Sequence, residues 1–70
     1  MNELLVKIRN LLSANGGKML YPDLLAEMDY QERGFLPRTL KLAKQNGVLK
    51  SNMIWDKDAK QNLHWIELVS

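Results

Sequence analysis

The spacing of apolar residues changes character at Gly47, and that change restricts the chain to a mixed fold. Before Gly47 apolar side chains recur at the intervals of amphipathic helices; after it, β-branched and aromatic residues come near alternation. Leu4, Leu5, Ile8, Leu11 and Leu12 form the buried stripe of a first helix over residues 2–13, with Glu3, Lys7 and Asn10 on its wet side. Gly16 and Gly17 end it, because glycine accepts the left-handed conformation that closes a helix. Residues 18–21 are short and extended, a strand only if they pair elsewhere. Pro22 suits the first position of a second helix and Asp23 favours the same start, which predicts a helix over 22–28 with Leu24, Leu25 and Met28 inward. Residues 29–35 read as a turn broken at Gly34. Leu36 precedes Pro37 and is biased away from helix, so a third helix is expected over 37–46, with Leu40 and Ala43 inward and Leu36 packing just ahead of it. Residues 48–55 and 63–69 then read as two strands joined by a polar loop, 56–62.

With 70 residues, the expected organisation is a single domain, 1–70. A domain this small buries only about 60% of the surface of its unfolded chain, so a homodimer or another bound protein would help it. Hydrophobic residues make up 46% and charged residues 26%, too apolar for a disordered chain. There is no cysteine, which excludes a disulfide framework and thiolate metal sites. A secreted domain this small usually needs such staples, so the expected setting is the cytoplasm, or the nucleus in a eukaryote. No apolar run approaches the roughly 18 residues of a membrane span, and no membrane partner is expected.

The order helix, short strand, helix, helix, strand, loop, strand is that of a winged helix, an α+β fold with three helices and a small antiparallel sheet. The run from Leu40 to Leu49 resembles the end of the recognition helix in the winged helix-turn-helix superfamily: Leu40, Ala43, Gly47, Val48 and Leu49 fit its pattern in order. Gly17 and Lys18 followed by residues 22–28 resemble its short strand and second helix. The chain departs from the superfamily in carrying Pro37 where many members have a continuous helix, and in having Ala43 where leucine is usual. A fainter likeness is to the small bacterial regulators of pilus operons, which also have Gly-Gly-Lys before the second helix and an aromatic near the end of the last strand, here Trp65. The resemblance implies double-stranded DNA binding in transcriptional regulation, without catalysis, cofactor or small-molecule substrate. The third helix, 37–46, would enter the major groove and the wing, 56–62, would lie on the backbone.

Charge supports that expectation independently. Residues 31–51 hold Arg33, Arg38, Lys41, Lys44 and Lys50 against Glu32 alone, whereas the flanking segments are each slightly acidic. A polyanion-binding element requires such a concentration of positive charge. On a helical wheel Arg38, Lys41 and Gln45 oppose Leu36, Leu40 and Ala43, with Lys44 at the flank. Arginine and lysine donate to guanine O6 and N7, and glutamine pairs with adenine N6 and N7, so Arg38, Lys41 and Gln45 are the candidate base readers. Thr39, Lys44, Lys50, Ser51, Asn52, Lys57 and Lys60 are the candidate phosphate contacts.

Other residues invite weaker functional readings. His64 has no cysteine or second histidine to join it in metal binding or catalysis, and reads as a packed or surface residue. Asp56 and Asp58 flank a turn, as such residues do on conformational grounds, without an EF-hand's ligand spacing. Asp23 and Glu27 read as solvated acids, Trp55 and Trp65 as cross-strand or core aromatics, and no metal site is expected. The rival function is a protein-docking winged helix that uses Met53, Trp55 or Leu42. Single-stranded nucleic acid binding would need several exposed aromatics, and most of the five are expected in the core.

Overall fold

In the computed structural model, which describes residues 3–69, three helices pack on one face of a three-stranded antiparallel sheet. The elements are α1 (Glu3–Ala14), β1 (Lys18–Leu20), α2 (Tyr21–Ala26), α3 (Tyr30–Gln45), β2 (Leu49–Asp56) and β3 (Gln61–Leu68). The sheet order is β1-β3-β2, so the C-terminal strand lies between the other two. This is the winged-helix arrangement, with β2 and β3 as the wing.

The apolar stripes foreseen for α1 and α2 make the core, while Asn2, the first residue expected in α1, lies outside the described residues. Ile8 and Leu12 are fully buried, and Leu4, Leu5 and Leu11 pack against the core from its margin. Leu24 and Met28, from α2 and the turn after it, meet Leu36, Leu40 and Ala43 from α3 and Met19, Leu49 and Ile66 from the sheet. Residues 18–20 are a strand because they pair: Met19 stands opposite Ile66, and both side chains enter the core. Gly17, at φ 92°, turns the chain from α1 into β1, and Gly47, at φ 73°, turns it from α3 toward β2.

The main departure from the sequence reading is α3. Residues 29–35 are no turn, and the helix does not begin at Pro37. It starts at Tyr30 and runs sixteen residues, through both Gly34 and Pro37. Its start is set by a capping box. The Asp29 side chain accepts the Glu32 backbone N–H at 2.8 Å, and the Glu32 carboxylate accepts the Asp29 backbone N–H at 2.9 Å. Lys7 of α1 donates to the same Glu32 oxygen at 2.8 Å, pinning the new helix end to α1. Arg33 Nε donates to the Leu25 carbonyl at 3.2 Å, tying it to α2. Pro37 has no N–H to give to the Arg33 carbonyl, and the helix tolerates that loss because Leu36, Thr39 and Leu40 on either side are held in the core. The hairpin is also tighter than expected: the strands reach Asp56 and resume at Gln61, leaving residues 57–60 as the wing loop in place of 56–62.

Two predictions follow from α3. A Cβ on Gly34 would meet nothing within 4 Å, and its φ is not positive, so Gly34→Ala should stabilise the domain by about 0.5–1 kcal/mol by removing the glycine entropy cost. Leu40→Ala, at a buried site, should cost about 2–5 kcal/mol. Chemical denaturation of both variants checks the assignment, and a destabilised Gly34→Ala would contradict a helical Gly34.

The capping box makes stability depend on pH. The Asp29 backbone N–H, then the Lys7 ammonium, hold the Glu32 carboxyl below its ordinary range. A lowered folded value means that the contribution is complete above the unfolded value and is lost as pH falls through the folded one. Melting temperature should therefore drop on acidification below the usual glutamate range, and Glu32→Gln, which can keep the cap, should flatten that part of the profile. A Glu32 carboxyl that titrates by NMR at or above the ordinary glutamate value would refute the linkage.

Candidate nucleic-acid interface

The continuous α3 changes which residues share its outer face. Tyr30, Gly34, Arg38, Lys41 and Gln45 follow helical spacing along one stripe opposite Leu36, Leu40 and Ala43, and every member is exposed. Arg38, Lys41 and Gln45 are thus brought together as the sequence reading expected. Tyr30 and Gly34 join them, and both were missed because residues 29–35 read as a turn. The signal that would have found them is the Asp29-x-x-Glu32 capping pattern. Tyr30 is 92% exposed at the first turn, and Gly34 leaves the middle of the stripe open to close approach. Lys44 and Arg33 flank the stripe and are exposed. Among the described residues the salt bridge from Lys7 to Glu32 is the only one, so no carboxylate neutralises Arg38, Lys41 or Lys44.

The expected phosphate contacts divide. Thr39 is 4% exposed on the inner side of α3 and is removed from the candidate surface. Leu49 is buried, so Leu49, Ser51, Met53 and Trp55 belong to the helix-facing side of β2, and Lys50 and Asn52 to the opposite side. Lys50 and Asn52 are therefore not gathered with the α3 stripe. The Asn52 amide donates to the Glu67 carboxylate across the strands. Ser51 is half-buried on the helix side. Lys57 and Lys60 are exposed in the wing loop, as foreseen.

The wing loop has its own constraint. Asp56 Oδ1 accepts the Asp58 backbone N–H at 3.3 Å, which folds the turn. Lys60 then closes the loop at φ 54°, a left-handed conformation that glycine adopts without a side-chain penalty. A lysine at this position costs stability and places a cation at the end of the hairpin.

The aromatic residues depart from expectation. None of the five is in the buried core: Tyr30, Phe35 and Trp55 are exposed, and Tyr21 and Trp65 are half-buried. Trp55 and Trp65 are cross-strand residues, one of the two readings the sequence allowed: Trp55 pairs with Asn62, and Trp65 with Asn52 and Leu20. His64 stacks on Tyr21 with ring centroids 5.3 Å apart, and Lys18 Nζ lies 4.8 Å over the Trp65 ring. Phe35 and Leu42 line a shallow groove of about 260 Å³ between α1 and α3, with Leu4 and Arg38 at its walls. Among the described residues no cluster of three His, Cys, Asp or Glu is placed to hold a metal. No helix there is long and apolar enough to cross a membrane.

No protein-family model, curated protein or solved structure matches this chain.

The hairpin tip supplies a test that separates charge from fold. Lys60→Gly should relieve the left-handed residue and stabilise the domain by about 1 kcal/mol. A melting temperature that falls on this substitution would show that the Lys60 side chain supports the wing.

Proposed function

We propose that this chain is a non-catalytic winged helix-turn-helix protein that binds double-stranded DNA, with transcriptional regulation as the setting. The observation that carries the reading is the outer stripe of α3, where Arg38, Lys41 and Gln45 are exposed and free of acidic partners. A helix entering a major groove presents donors of this kind to base edges. The charge around it is one-sided, with no acidic residue between Arg33 and Trp55. In this reading Arg38, Lys41 and Gln45 read bases, with Tyr30 beside them, and Lys44, Lys57 and Lys60 meet phosphates. Lys50, Ser51 and Asn52 contribute less, because the sheet turns Lys50 and Asn52 away from α3 and half-buries Ser51.

The placement of the aromatics favours duplex over single-stranded binding. Single strands are held by aromatic platforms along one groove. Here the exposed aromatics are dispersed, Tyr30 on the stripe, Phe35 in the α1–α3 groove and Trp55 on the wing. The protein-docking alternative is favoured by two observations: the apolar groove at Phe35 and Leu42, which are 60% and 49% exposed, and the exposed Met53 and Trp55 on the wing.

Titration with random-sequence duplex DNA at two salt concentrations tests the reading. Binding should appear by micromolar protein at about 50 mM salt and weaken steeply as salt rises. Arg38→Ala should cost about 1–3 kcal/mol on a selected site and relax specificity at one position. Lys57→Ala and Lys60→Gly should each weaken binding on every sequence and lower the salt slope by about one unit. For Lys60→Gly this loss should accompany a gain in stability, which a folding defect cannot produce. Absence of duplex binding at low salt, or tighter binding of the single strand, would overturn the proposal; the first result would turn attention to the groove at Phe35 and Leu42.

A further inference from the structure

The outer edge of the wing is unpaired. β2 is a terminal strand, bonded to β3 alone, and its eight residues pair in unbroken register from Leu49↔Leu68 to Asp56↔Gln61. An edge strand of this length usually carries a bulge, a proline or several charges that discourage pairing with another chain. β2 has no proline, and its charges are Lys50 and Asp56, one near each end. Between them Met53, Ile54 and Trp55 are 62%, 50% and 57% exposed.

The hydrogen bonds identify which backbone groups face that edge. Val69 N–H donates to the Val48 carbonyl at 3.1 Å, so residue 48 points its backbone toward β3. Leu68, the partner of Leu49, sends its N–H the other way, to the Gly17 carbonyl at 2.8 Å. Antiparallel ladders alternate, so Lys50, Asn52, Ile54 and Asp56 bond to β3, whereas Ser51, Met53 and Trp55 direct N–H and C=O outward.

We propose that a second copy of this chain occupies this edge, β2 against β2 in antiparallel register centred on Met53, giving a two-fold dimer with a continuous six-stranded sheet. Charge complementarity selects the occupant and the register. A two-fold axis through Met53 sets Lys50 of each chain opposite Asp56 of the other, so the same oppositely charged pair forms twice on one sheet face. On the helix-facing side it sets Ser51 opposite Trp55 and Met53 opposite its own copy, and these are the residues whose backbone groups face outward. All paired residues share a sheet face, as antiparallel neighbours must. Glu67 stands opposite Lys50 on β3, but its carboxylate accepts the Asn52 amide and, among the described residues, Lys50 makes no ion pair within one chain, which leaves its ammonium for the other. The inference is independent of the DNA reading.

Sedimentation equilibrium on the whole chain tests it. At about 1 mM protein, where even weak pairing is populated, the mass should approach twice 8.1 kDa. Amide exchange at Ser51, Met53 and Trp55 should slow as concentration rises, because only these N–H groups gain acceptors. Lys50→Glu and Asp56→Lys should each be monomeric alone, since each sets like charges opposite one another. Their equimolar mixture should dimerise, because both cross-pairs become attractive. Met53→Pro removes an outward N–H and leaves the β3 ladder intact, so it should stay folded by circular dichroism and be monomeric; it decides the matter if a charge variant fails to fold. A monomeric wild type at 1 mM, a Met53→Pro chain that still dimerises, or folded charge variants whose mixture stays monomeric would each overturn the proposal.

Discussion

The Asp29–Glu32 capping box, with Lys7 clamped to it, is the interaction on which the arrangement depends. Two features of the sequence oppose a long third helix: Gly34 costs helix stability and Pro37 removes a hydrogen bond. Helix formation is cooperative, so an N-terminal segment ahead of a proline persists only if its own end is secured. The box satisfies two backbone donors, and the Lys7 ammonium joins them to α1 through a single Glu32 oxygen. Arg33 adds a second tether, to the carbonyl of Leu25. The first two turns of α3 are therefore held from three sides while Leu36 anchors them to the core. Tyr30 and Gly34 reach the outer surface only because those turns exist.

This explains which parts of the fold were legible. The stripes of α1 and α2 could be read from periodicity, as could the switch to strands after Gly47, because burial alone dictates them. That Arg38, Lys41 and Gln45 share an exposed face was legible, because their spacing from Leu36, Leu40 and Ala43 holds whether the helix begins at residue 30 or 37. The start of α3 was not legible from apolar spacing. Gly34 and the dipeptide Leu36-Pro37 signal a break locally, and the contacts that override it come from Lys7, 25 residues away from Glu32. Thr39 illustrates a second limit. Its polarity suggested the surface, yet its position between Leu36 and Leu40 carries it inward, where geometry outranks polarity.

The aromatic residues show a third limit. A small domain is expected to spend its largest side chains on the core, but here aliphatic residues and two methionines fill it. Aliphatic side chains suffice because the helices meet a sheet of only three strands, and β1 contributes a single buried residue, Met19. Tyr30, Phe35 and Trp55 are displaced to α3 and the wing, where much of their apolar area stays in water. Exposure of that kind forgoes the stabilisation that burial would bring, and contact with something else would supply it.

The wing concentrates this tension. Its base is held by Leu49 and Ile66 in the core, but from Met53 onward no helix covers β2, and the hairpin persists through its ladder and its turn alone. Cross-strand pairs such as Ile54 with Leu63 contribute on the outer face, and the Asn52 bond to Glu67 stiffens it. Beyond that point the turn imposes a left-handed Lys60. A shorter hairpin would bury the same core without exposing Met53 and Trp55 or straining Lys60. The distal half of the wing therefore adds nothing to the core, and the chemistry it carries is an outward-facing backbone edge along β2 and a pair of lysines at the tip. Those two features lie on different parts of the hairpin, so pairing along the edge would leave Lys57 and Lys60 outside the paired residues.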